Sequence, residues 1–224
     1  MSKNPATILS SKYKIFMFDG IVTLYLGPDR KKMEIHKKLL ASVSLELDKH
    51  VNNCMKEGIE GIIYFPDEGE FALSLFAEWA YTGEYTIMDN TPLVRIPDQY
   101  GNYSEVKADP WPSLRTHLEL YTFSDKFNIP TLKLLAKSKF STEISPVDLK
   151  GKADADGLTS LVEYAYNNLP DSDPIQKFLA QFAAWKLELL QERDEFVQFI
   201  STQPEFMKEL LVNLKGLANR PALA

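Results

Sequence analysis

The chain has 224 residues and a formal net charge of −6, with 45% apolar and 25% charged residues. That length holds one sizeable domain or one domain with an annex. The composition argues against wholesale disorder, and the negative charge against general affinity for nucleic acid or anionic membranes. The single cysteine, Cys54, excludes an intramolecular disulfide. No long apolar run opens the chain, and no stretch of about 18 apolar residues predicts a membrane span. The expectation is an intracellular protein of the nucleus or cytoplasm.

Residues 13–18 (YKIFMF) and 21–26 (IVTLYL) are rich in aromatic and β-branched types, and Asp19-Gly20 stands between them as a turn signal. This predicts a hairpin. A second turn, Gly27-Pro28-Asp29, precedes a short strand over 32–35 and a helix over 36–43. A second short helix, carried by Leu45, Leu47, Val51, Cys54 and Met55, is expected to close near Gly58. A buried strand over 62–65 and a helix over 68–81, ending at Thr82-Gly83, come next. Residues 86–112 lack a helical period and read as an insertion, with a small hairpin flanking 99–102. Helices are expected at 113–127 and 130–141, and a polar linker at 145–157. After it the pattern is helical only, over 157–168, 174–191, 193–201 and 204–217. Early strands and late helices predict an α+β fold rather than a wound α/β sheet.

Five short motifs over residues 21–141 stand in an order that resembles a BTB/POZ domain. IVTLYLG (21–27) resembles the family's first core strand and turn. MEIHKKLLASVS (33–44) resembles its second strand and His-containing helix, through His36, Leu39, Leu40, Ser42 and Ser44. IIYFPDE (62–68) resembles the third strand, and FAEWAYTGEY (76–85) the helix that closes on Tyr81, Thr82 and Gly83. FSDKFNIPTLKLLA (123–136) resembles the helix pair bearing Asp125 and Lys126. The closest flavour is the fungal group of stand-alone BTB proteins with helical tails. The resemblance implies an N-terminal strand segment at 1–20, a BTB/POZ fold over 21–144 carrying the insertion 86–112, and an all-helical extension over 157–217.

It also implies a non-catalytic module for protein–protein interaction that forms a homodimer or recruits a protein partner. No catalytic residue, metal, cofactor or small-molecule substrate is expected, and no nucleic-acid or membrane partner. Tyr13, Ile15 and Met17 alternate with Lys14, Phe16 and Phe18, and Ile8 and Leu9 precede them. An apolar strand of this kind needs cover, which pairing across a two-fold axis supplies. Tyr100, Tyr103 and Trp111 are the candidate anchors in the insertion, as partner contacts or as a packed lid. The alternative function is a substrate adaptor for a cullin-based ubiquitin ligase. Two positions depart from the family. Members with a charged corepressor pocket carry an Asp where this chain has Ile21, opposite Lys37. Cullin-docking members carry an apolar-x-acidic motif where this chain has Thr116-His117-Leu118.

Enzymatic readings are weaker. KIFMFDGIVTL resembles the start of a haloacid-dehalogenase phosphatase, but Met17 stands where the nucleophilic Asp belongs, leaving Asp19 alone. His50 and Cys54 share a helical face without the further ligands that zinc needs. His36 reads as a satisfied structural histidine at a strand–helix junction. Asp154, Asp156, Asp171 and Asp173 read as solvated loop charges rather than a calcium loop. In the tail, Phe196, Phe199 and Ile200, then Phe206, Leu210, Leu211 and Leu214, form stripes at helical spacing and read as core. Leu211→Asp is therefore expected to cost several kcal/mol, on the order of a buried unpaired charge.

Overall fold

The computed structural model describes residues 16, 18–52, 59–88, 93–97, 103–107 and 109–214. In chain order the elements are β1 (Ile21–Leu26), β2 (Lys31–His36), α1 (Lys37–Val43), α2 (Leu45–Asn52), β3 (Ile62–Phe65), α3 (Glu70–Thr82), β4 (Leu93–Pro97) and β5 (Tyr103–Lys107). There follow α4 (Trp111–Lys126), α5 (Pro130–Ile144), α6 (Lys152–Asn168), α7 (Pro174–Trp185), α8 (Leu187–Leu190), α9 (Asp194–Thr202) and α10 (Pro204–Leu214). The fold is α+β and mostly helical. The chain divides into two compact units, Met1–Asn90 with Thr116–Ser141, and Thr91–Arg115 with Thr142–Ala224. Among the described residues no helix is long and apolar enough to cross a membrane.

The first unit is built on a three-stranded mixed sheet of order β2-β1-β3. β1 pairs antiparallel with β2, Val22 opposite Ile35, and parallel with β3, Leu26 opposite Phe65. Side chains alternate across a strand, so Val22, Leu24, Leu26, Ile35, Ile63 and Phe65 share one face, and all are buried. Phe65 meets Phe127 of the segment after α4 edge-on, with ring centroids 5.4 Å apart. Phe76 of α3 lies 4.8 Å from Phe123 of α4. Offset and edge-on aromatic pairs of this kind add about 0.5–1.5 kcal/mol each beyond area burial.

The hairpin partner of β1 is β2, not residues 13–18. Of that segment, Phe16 is helical and Phe18 and Asp19 lie in a turn and bend. The reversal falls at Gly27–Arg30, where Gly27 and Arg30 take φ of 64° and 53° and the Arg30 N–H donates to the Gly27 carbonyl at 3.2 Å. A left-handed turn position favours glycine, and the Gly27-Pro28-Asp29 turn supplies it. Gly83 does the same at the end of α3: at φ 82° its N–H donates to the Trp79 carbonyl at 2.7 Å, closing the helix where the sequence predicts.

The insertion does contain a hairpin: β4 and β5 pair antiparallel from Leu93–Lys107 to Pro97–Tyr103. It belongs to the second unit. There α6 begins at Lys152, inside the stretch expected to be linker. Asp154 explains the early start. Its carboxylate accepts from the Lys150 N–H at 2.9 Å and the Gly151 N–H at 3.2 Å, so helix formation begins on it. The helix expected over 174–191 is broken into α7 and α8 at Lys186. Within this unit the tail helices cover one another. Phe206 of α10 lies between Tyr166 of α6, at 5.3 Å, and Phe196 and Phe199 of α9, at 6.1 and 5.5 Å. Phe196, Phe199, Phe206 and Leu210 are buried as the stripes predict. Leu211 is not: it is 49% exposed, on the outer side of α10.

Candidate functional site

The motif residues of the first unit serve its internal architecture. α1 starts directly at the end of β2, with His36 as its N-terminal flanking residue and no cap from its own side chain. The free N–H of Lys38 is taken instead by Asp19, whose Oδ2 accepts it at 2.9 Å while Oδ1 lies 3.4 Å from the Lys38 ammonium. Asp19 is thus a helix cap supplied from outside the helix, a role the turn reading missed. The His36 ring turns toward α3, where Nδ1 lies 2.7 Å from the Tyr81 hydroxyl and the His36 N–H donates to the same oxygen at 3.3 Å. Tyr81 accordingly donates to Nδ1 and accepts from the backbone. The histidine is satisfied, as its position predicts.

Leu39 and Leu40 are buried. Ser42 donates to the Leu39 carbonyl at 2.8 Å, and Ser44 accepts from the Leu47 N–H at 3.0 Å, opening α2. Thr82 donates to the Glu78 carbonyl at 2.8 Å, one turn back in α3. Asp125 pairs with Lys133 at 2.6 Å and Lys126 with Glu68 at 2.7 Å. Near the same helices, buried Tyr85 shares a 2.8 Å hydrogen bond with His117. The Lys139 ammonium lies 2.9 Å from Glu84, and this hydrogen bond holds the Glu84 carboxyl below the usual carboxylate range.

Exposed apolar groups collect at the start of β1. Phe18 is 96% and Ile21 56% exposed. Both stand beside the start of α1, since Lys37 N–H donates to the Gly20 carbonyl at 2.8 Å and Ile21 sits opposite His36. The outer sheet face also carries Tyr25 stacked on Tyr64, with ring centroids 5.3 Å apart.

Of the sequence candidates for an interface, Ile8, Leu9, Tyr13, Ile15, Met17 and Tyr100 lie outside the described residues, as does Cys54 beside His50. Tyr103 opens β5. Trp111 is packed within the second unit. Its indole N–H donates to Asp154 at 3.2 Å, and its ring lies so close to Gly157 that a Cβ there would overlap it. Next to it the Arg115 guanidinium lies 3.7 Å from the centre of the Tyr164 ring. Two of the supposed solvated loop acids are corrected. Asp154 holds the start of α6, and Asp173 is buried and caps α7 by accepting from the Ile175 N–H at 2.8 Å. Asp156 and Asp171 are exposed.

Among the described residues no group of three or more His, Cys, Asp or Glu side chains is placed to hold a metal ion. His36 and His117 each meet a tyrosine, and Asp19 meets a helix end. Neither a protein-family model nor a curated protein matches the chain.

Proposed function

We propose that the chain is a non-catalytic protein-interaction module of the BTB/POZ type, intracellular, which self-associates or recruits a protein partner through its first unit. The observation that carries this reading is the uncovered apolar pair Phe18 and Ile21 beside the start of α1. Apolar side chains at such exposure, placed together, mark contact sites more often than scattered ones do. Support also comes from the order β1-β2-α1-α2-β3-α3, which follows the order of the family motifs, and from the motif residues meeting one another, as His36 and Tyr81 do.

Light scattering on the purified chain at micromolar concentration is the test. The expected mass is twice the 25.5 kDa of one chain. Phe18→Asp with Ile21→Asp should return it to one chain without loss of helical signal, since neither side chain is buried. A single-chain mass for the unaltered protein would remove self-association. A pull-down with the same double variant as control would then decide partner recruitment. The adaptor alternative gains nothing from its docking position, because Thr116, His117 and Leu118 are all buried. Recovery of a cullin in that pull-down would revive it.

A further inference from the structure

We draw no further inference here: the strongest candidate, the cleft of about 510 Å³ between the start of α4 and α6, is walled by side chains already engaged within their own unit, Trp111 with Asp154 and Arg115 with Tyr164, and nothing in the structure shows what would occupy it.

Discussion

The Tyr81 hydroxyl holds His36 twice, through the ring Nδ1 at 2.7 Å and through the backbone N–H at 3.3 Å. The bond ties the last turn of α3 to the point where β2 becomes α1. Tyr81→Phe removes the oxygen and leaves both partners part-buried, so unfolding by urea should show a loss of about 1 kcal/mol, the usual net worth of such a bond. A loss indistinguishable from zero would mean that water replaces the hydroxyl.

Gly157 lies in the interior of α6, where alanine would ordinarily be favoured by about 1 kcal/mol. Here the added methyl would overlap the Trp111 ring. Gly157→Ala should therefore lower the thermal midpoint, by the roughly 1–3 kcal/mol typical of overpacking. In a Trp111→Ala background the same change should turn stabilising, and a double-mutant cycle reads that reversal directly. An effect of the same sign in both backgrounds would disconnect the two residues.

Leu210 and Leu211 are neighbours in sequence with opposite fates, 3% and 49% exposed. Leu210→Asp should cost several kcal/mol, because it places an unpaired charge among Phe206 and its surroundings. Leu211→Asp should stay within about 0.5 kcal/mol of the parent, against the expectation from the stripe alone. Equal denaturation midpoints for the two variants would contradict the register of α10.

Burial first, then the Glu209 carboxylate, hold the Tyr166 phenol above its ordinary value of 10.0. In the unfolded chain the phenol ionises near its ordinary value of about 10, while the folded chain keeps its proton to higher pH. The unfolded state therefore binds fewer protons above that point, and stability falls as pH rises. Tyr166→Phe should be less stable at neutral pH through loss of the bond to Glu209, yet lose stability less steeply from about pH 10 upward. Parallel alkaline limbs for the two proteins would argue that Tyr166 is solvated.

Most helices were legible because their cause is local. Leu39 and Leu40, the proline starts of α5, α7 and α10, and the glycine stop at Gly83 all act within a turn or two of chain. The misplaced hairpin shows the limit. Residues 13–18 and 31–36 both offered β1 an apolar neighbour, and the richer pattern lost to the better turn at Gly27–Arg30. The parallel pairing of β1 with β3 and the cap that Asp19 lends to α1 join residues distant in sequence, which periodicity does not encode. Asp154 looked like a solvated loop acid because neither the early start of α6 nor the indole of Trp111 is visible from its neighbours.

The division of the chain into Met1–Asn90 with Thr116–Ser141, and Thr91–Arg115 with Thr142–Ala224, makes both units discontinuous. During synthesis the first unit lacks Phe123 and Phe127 until α4 has been made, so Phe65 and Phe76 wait for partners that arrive after the β4–β5 hairpin. Nor does either unit correspond to one uninterrupted stretch of coding sequence. No single recombination breakpoint therefore separates one intact unit from the other, and a break within residues 91–141 divides both.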